Sequence, residues 1–383
     1  MNVIKSGFYA AALAVVSQSV LAASFAYEAR SLGMGNIGVA TADIATAPFA
    51  NPAMLSFQKD DDDFSLLVGL GGYFNDNDGM IENIDRFQSA ESANDTNTML
   101  WEAQQLDGKV IAPELSTVLA IGFSGETYSM SVSARTDVIV AGGVTNVATD
   151  VAQVVDPAFD ILNIVGAKTT EVGFSISRDF EFMDRKVSIG VTPKMVSVEA
   201  VGYVESVITA NTGLSDLVDN AVQDLGSFTT FDIGAVMAVT ENIQVGLVAK
   251  NMITEDMSFL TTSGGTADLS FDTQLKIGVA YASNFLTIGA DLDLIENDSV
   301  LSGGAFSGLK RQNLSMGLEV DFFDFLQLRL GMIKNIAGEL SGDDKKVITT
   351  AGIGLWLGFN LDIAVMAGAG DSLGAFVQTG FKF

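Results

Sequence analysis

Nine ionisable residues carry most of the chemistry this chain could perform, and they share one habit. Arg135, Lys194, Asp232, Lys250, Lys276, Asp291, Asp293, Glu319 and Arg329 each occupy the polar position of a stretch in which every second residue is apolar. Asp137 and Asp321 stand among them in the same way. The 383-residue chain contains neither histidine nor cysteine. The usual general base, the usual zinc ligand, the Ser-His-Asp triad and every thiolate site are therefore excluded. An Asp/Glu or Ser/Lys mechanism remains chemically open, but no motif for one is present. The nine charges read as the lining of a hydrated passage, with no enzymatic activity and no cofactor expected. Asp60 to Asp63 place four carboxylates in a row. They lack the spacing of a calcium loop, so no metal site is expected.

The elements that position these charges follow from the alternation. Tyr128, Met130, Val132 and Ala134 share one face, opposite Ser129, Ser131, Ser133 and Arg135. Leu286, Ile288, Ala290, Leu292 and Leu294 oppose Thr287, Gly289, Asp291 and Asp293 in the same way. Period two with one apolar face defines a strand with one dry side. The second face is too charged for the core of a sandwich. In a transmembrane barrel it becomes the interior, and the apolar face meets lipid.

Strands are expected over 64–74, 115–124, 127–139, 169–179, 186–200, 228–239, 242–252, 269–281, 285–296, 311–321, 325–335, 346–357, 360–368 and 373–383. The fold class is thus all-β: a transmembrane antiparallel barrel of about fourteen strands, an even number as bacterial barrels have. Connections near 125, 182, 241, 284, 323 and 359 are short, and parity places them in the periplasm. The long ones (75–114, 140–168, 201–227, 253–268, 297–310 and 336–345) face outward, and 369–372 is a short exception. Phe123, Tyr128, Phe180, Phe182, Tyr281, Phe285, Phe322, Phe323, Phe325 and Phe359 gather near the short turns, as an interfacial girdle does. Trp356 falls on the opposite parity from its apolar neighbours and points inward.

Export is expected from the first residues. Lys5 precedes an apolar run from Phe8 to Leu21, and Val20-Leu21-Ala22 fits a small-residue cleavage site. Residues 1–22 then form a signal peptide, and Ala23 begins the mature protein. Beyond it no apolar run approaches the ~20 residues of a membrane helix, so a barrel is the remaining integral solution. The net charge of −27 excludes nucleic acid as a direct partner and is read as loop solubility and self-repulsion. The reading places the protein in the outer membrane of a Gram-negative bacterium, among lipid and lipopolysaccharide.

Residues 23–63 break the strand rhythm, and the barrel proper is assigned to 64–383. The segment contains Ala29-Arg-Ser-Leu-Gly-Met-Gly-Asn36, an Ala-Thr-Ala-Asp43 stretch and Phe49-Ala-Asn-Pro-Ala-Met-Leu55. Together these resemble the N-terminal segment of the long-chain fatty-acid transporter (FadL-like) barrels, and the chain looks closest to the conjugal-transfer TraF-like branch. The resemblance implies a plug or hatch inside a fourteen-stranded barrel. Its motif maps onto Arg30, Gly33, Met34, Gly35, Asn51, Pro52 and Ala53. Asn51-Pro52 reads as a turn that seats the plug in preference to a ligand contact. The ending Ala375 to Phe383 is similar to the terminal signal by which the barrel assembly machinery recognises its clients, with Phe383 as its last residue.

Two loops carry apolar residues at near-helical spacing. Within 144–167 these include Val151, Val155, Phe159 and Leu162; within 211–225 they include Leu217, Val218 and Val222. Two amphipathic helices there either cap the barrel or form an apolar groove. Loop 75–114 is long, acidic and amide-rich, with Trp101 as an isolated anchor. Two functions remain open. One is passive transport of hydrophobic or amphipathic small molecules through a plugged barrel. The other is an accessory role with a partner from a conjugation or other envelope machine.

Overall fold

The computed structural model describes residues 28–57, 63–74, 76, 79–112, 114–207, 222–298, 300–302, 310–323, 325–337, 347–368 and 372–382. The signal peptide, most of the Asp60–Asp63 run, Leu217, Val218 and Phe383 lie outside the described residues.

Fourteen antiparallel strands close on themselves. They are β1 (Phe64–Phe74), β2 (Glu114–Phe123), β3 (Ser129–Thr145), β4 (Ile161–Phe182), β5 (Arg185–Ser206), β6 (Val222–Ala238), β7 (Ile243–Lys250), β8 (Gln274–Ala282), β9 (Leu286–Asp293), β10 (Asn313–Phe322), β11 (Leu326–Asn335), β12 (Val347–Trp356), β13 (Asn360–Ala367) and β14 (Leu373–Lys382). Closure is made by β1 on β14, in a ladder from Ser65↔Lys382 to Phe74↔Leu373. Closing the sheet leaves no open edge in the membrane, so each strand's backbone finds its partners within the wall.

Burial alternates along each strand as the sequence pattern requires. In β14, Gly374, Phe376, Gln378 and Gly380 are buried while Val377 and Phe381 are exposed. Val132, Phe174, Ile189, Leu247, Ile288 and Leu330 show the same outward exposure elsewhere around the wall. Phe123, Tyr128, Phe180, Phe182, Tyr281, Phe285, Phe322, Phe323 and Phe325 lie exposed at the short-turn end. This is the apolar belt and aromatic rim of a membrane barrel.

Four strands are longer than the alternation indicated. β4 and β5 have 22 residues each, β3 and β6 have 17 each. The stretch 144–167 is therefore not an amphipathic helix. Thr145 and Ile161 end β3 and β4, and between them only Gln153–Val155 makes a turn of 3-10 helix. Of the run that mimicked helical spacing, Leu162 and Val165 pair with β3 and β5, while Val147, Val151, Val154, Val155 and Phe159 lie in the connection between β3 and β4. β-branched side chains pack well on a pleated surface and lose rotamer freedom in a helix. Val222 likewise belongs to a strand, β6.

The expected strand 269–281 is two elements. Thr266–Phe271 pairs with Glu255–Leu260 in a hairpin, and β8 starts at Gln274. The hairpin folds over the lumen. Phe259, Leu269 and Phe271 pack with Ile139, Val196 and Val198 from the inner faces of β3 and β5.

Helices appear where the long polar loop 75–114 was expected. α4 (Met80–Ser92) and α5 (Thr96–Gln105) pack Met80, Phe87 and Met99 against Val144, Val154 and Leu162. Asp95 caps α5, accepting from the Thr98 amide at 3.2 Å. Asn83 and Arg86 both bond to the buried carboxylate of Glu102, at 2.6 and 3.0 Å. Trp101 is exposed rather than anchored. Three further helices, α1 (Ala29–Gly33), α2 (Ala47–Ala50) and α3 (Met54–Phe57), belong to the segment before β1.

Candidate functional site in the barrel lumen

Residues 28–57 lie inside the barrel and are buried almost throughout. Their contacts with the wall are polar and specific. The Arg30 guanidinium donates to both Glu319 oxygens, at 2.6 and 3.0 Å, and to the Thr41 carbonyl at 2.7 Å. Glu319 also accepts from Arg329, which donates in turn to Asp362. Asp362 accepts from the Gln378 amide at 3.2 Å, and the Gln378 carbonyl accepts the Ala29 N–H at 2.8 Å. The circuit begins and ends on α1. Two cations face two carboxylates, so no buried charge is left over. Such networks add little net stability, but removing one member leaves its partner charged and dry.

Other wall residues hold the segment as well, most of them by its main chain. Asp291 accepts from the amides of Gly38 and Val39 at 2.7 and 3.0 Å. Lys250 donates to the Phe49 carbonyl at 2.7 Å, and Gln244 to that of Ala40. Lys382 pairs with Asp43. Asn51 folds the segment on itself: its side chain donates to the Val39 carbonyl at 2.7 Å and accepts the Ala53 amide at 3.1 Å. Asn51-Pro52-Ala53 thus form a turn, closed by the Met54 amide on the Asn51 carbonyl.

The close fit depends on a glycine girdle. Gly190 pairs with Gly234, Gly246 with Gly278, and Gly289, Gly317 and Gly331 form one cross-strand row. A methyl carbon built on Gly317 would lie 2.0 Å from the Met34 carbonyl oxygen, and one on Gly331 would lie 2.0 Å from the Gly35 nitrogen. At Gly246 the obstacle is the Val39 carbonyl, at 2.4 Å. Gly35 itself has φ 72, and a side chain there would meet the Met316 carbonyl at 2.4 Å. Two backbones approach where at least one of the facing residues lacks a side chain. Gly33 meets Gly352 in the same manner.

All nine charges expected in the lumen face inward. Beyond those already placed, Arg135 pairs with Asp137 at 2.7 Å, Lys194 with Glu171 and Asp232 at 3.1 and 3.2 Å, and Lys276 with Asp293 at 3.1 Å. A cavity of about 20 Å³ lies between Phe49 and Arg135, Glu171, Lys194 and Lys250. A second, about 40 Å³, lies beyond Glu171 beneath Phe271 of the hairpin. Each has room for a water or two and for no organic molecule.

The β4–β5 ladder beside the first cavity has a gap in its pairing but no shift of register. It runs to Gly173↔Lys194 and resumes at Ile176↔Val191. Pro193 faces this gap and has no N–H to give. The Ser175 and Thr192 hydroxyls bond across it, at 2.8 Å.

The loop residues expected to form a groove are dispersed. Leu162 is buried and Phe159 packs beside it against α4 and α5, whereas Val151, Val155 and Val222 are exposed. Sequence reading missed Asp362, Gln378, Gln244 and the glycine girdle. The first three sit at polar positions of alternating strands, the same signal that marked Glu319.

A family model described as "F plasmid transfer operon, TraF, protein" matches residues 48–293, well over half of the chain. The chain belongs to this TraF family. The search of curated proteins found no match. Among solved structures, this TraF-family protein is similar to the TodX deltaS2S3 mutant, a monoaromatic hydrocarbon channel. The TM-score is 0.57 at 13% identity, covering 94% of this chain and 99% of that one. It is also similar to the Ralstonia pickettii toluene transporter TbuX, with a TM-score of 0.54 at 13% identity over 94% of this chain and 98% of the other. At this identity the likeness establishes the fold of the TraF-family chain.

Proposed function

We propose that this protein is a gated passive transporter of hydrophobic or amphipathic small molecules in the outer membrane of a Gram-negative bacterium, with residues 28–57 as its plug. The observation that carries the reading is how the plug is held. Separable hydrogen bonds and ion pairs fix it to the wall, and the described cavity beside Phe49 has room only for water. Passage then requires the plug to shift. The ladder gap at Pro193 adjoins the same cavity and offers an apolar compound a sideways route into the bilayer. Lys250, released from the Phe49 carbonyl when the plug shifts, and Arg329, held by Glu319 and Asp362, face the path an amphipathic head group would take. The fold shared with a hydrocarbon channel and a toluene transporter supports this reading, which assigns the protein no catalytic chemistry.

The absence of native cysteine makes the test clean. Asp43→Cys with Lys382→Cys places two thiols where the plug meets β14. Bridging them with a short, reducible bis-methanethiosulfonate cross-linker is expected to slow uptake of radiolabelled toluene by cells, and reduction to restore it. Identical uptake by cross-linked, reduced and deletion strains would sink the proposal.

Membership of the TraF family favours a second reading, an accessory role in a conjugation or other envelope machine. It predicts a stable partner recovered by cross-linking in cells and a fall in transfer frequency on deletion.

A further inference from the structure

The chain has 20 basic residues against 47 acidic ones, and most of the described cations point into the lumen or carry an acidic partner. Arg178 and Arg185 do neither. Both are exposed, and parity puts them on the outer face. Arg178 shares its side of β4 with Phe174 and Phe180, while Arg185 pairs across the turn with Phe182. Neither forms an ion pair among the described residues. By contrast Lys168, outward-facing farther up β4, is paired with Glu199 at 3.1 Å. Lys186, the neighbour of Arg185 on the inner face, donates to the Phe57 carbonyl and lies 3.7 Å from Asp179.

Arg178 is nonetheless held in place. Its guanidinium lies 5.4 Å from the centre of the Tyr128 ring, and one of its nitrogens is 3.5 Å from the Tyr128 hydroxyl. Tyr128, Phe180 and Phe182 flank it, all exposed. Aromatic side chains of this kind sit at the level of lipid head groups. A guanidinium fixed there by a ring face keeps its remaining N–H groups free for a planar, two-oxygen acceptor. Barrels place short turns on the periplasmic side, so the matching leaflet is the inner one.

We propose that Arg178, Arg185 and Tyr128 form a binding site for the phosphate of an anionic phospholipid in the periplasmic leaflet. The proposal rests on the membrane placement above, and not on transport. On a strongly acidic protein, two unpaired cations on adjacent strands at the short-turn end mark this sector of the wall for an anionic head group, whereas Lys334, also exposed and without an ion pair among the described residues, stands alone at the other end of β11. Each cation near an anionic surface contributes favourably and is screened by salt.

Native mass spectrometry of the purified protein tests the site by competing phosphatidylglycerol against phosphatidylcholine. The wild type is expected to retain phosphatidylglycerol about tenfold more strongly. Arg178→Gln with Arg185→Gln is expected to abolish the preference, and Lys168→Gln to leave it intact. Heat-modifiable migration on gels shows which variants are folded. If the double variant does not fold, the wild-type preference must fall as salt rises. No preference in the wild type, or a preference unchanged in the folded double variant, overturns the site. Displacement by inorganic phosphate as effective as that by phosphatidylglycerol overturns the lipid assignment. Toluene uptake is a separate readout, so failure of the site and failure of the transport reading are distinguishable.

Discussion

Arg30 and Glu319 are 289 positions apart in sequence, yet two hydrogen bonds of 2.6 and 3.0 Å join them inside the barrel. Glu319 also holds Arg329, so one carboxylate balances a cation of the enclosed segment 28–57 and a cation of the wall. Glu319→Gln therefore leaves Arg30 without its carboxylate and Arg329 with Asp362 alone. Loss of one member of such a network costs about 3–5 kcal/mol, and the plug has fewer ties than the closed sheet. The variant should keep its heat-modifiable barrel while planar-bilayer conductance rises and amides of 29–42 exchange faster. Wild-type conductance and exchange would refute the latch.

Gly317 tests the girdle. A side chain there has nowhere to go but into the Met34 carbonyl, and backbone cannot step aside as a flexible side chain can. Gly317→Leu should unseat the plug without unfolding the barrel and so reproduce the conductance of Glu319→Gln. Combining the two should add little, because both release the same element. Additive effects would mean that they act on separate elements.

Pro193 bears on the route of exit. Replacing it with valine restores an N–H to the β4–β5 ladder and a side chain suited to a strand. Thermal stability should rise slightly, by about 1 kcal/mol. If compounds leave through the wall, toluene uptake should fall several-fold while conductance through the lumen stays unchanged. Unaltered uptake would remove the lateral route.

Asp160 makes the external loop sensitive to pH. It has φ 50, accepts the Ala148 amide at 2.8 Å through one oxygen, and buries the other without a hydrogen-bond partner. Burial pushes its carboxyl above the ordinary aspartate range, and the Ala148 bond only partly offsets this. A group raised in the folded state favours folding while protonated. Its contribution is complete below about pH 4, the unfolded value, and is lost as pH rises through the folded value. Hydrogen exchange in 146–160, corrected for intrinsic rate, should be slower in acid than at neutrality. Asp160→Asn should flatten that dependence; the same slope in the variant would exclude Asp160 as its source.

Alternation along the chain was enough to name the barrel and to sort its charges. Period two settles which side of a strand is dry, so Glu319, Lys250 and Asp291 could be placed in the lumen from their neighbours alone. Short turns likewise announced the aromatic rim around Phe322 and Phe323. The same local signal failed at 144–167, where apolar residues at near-helical spacing are divided between the ends of β3 and β4 and an irregular connection. Helix and strand compete there on side-chain spacing, and pairing with distant strands decides. It failed again at 80–105, whose helices gain their stability from a face packed on Val144 and Leu162 rather than from strong amphipathicity.

What the sequence by itself determined is periodicity, which fixed the fold class, the inner and outer faces and the turn side of the barrel. Which residues meet across the lumen was decided only by tertiary structure. Arg30 with Glu319, Gly35 with Gly331, and Ala29 with Gln378 depend on where the plug enters and on the register of fourteen strands. A glycine or a glutamine at a polar strand position reads alike whether it faces water or a second backbone. Only closure of the barrel around residues 28–57 gives each its partner.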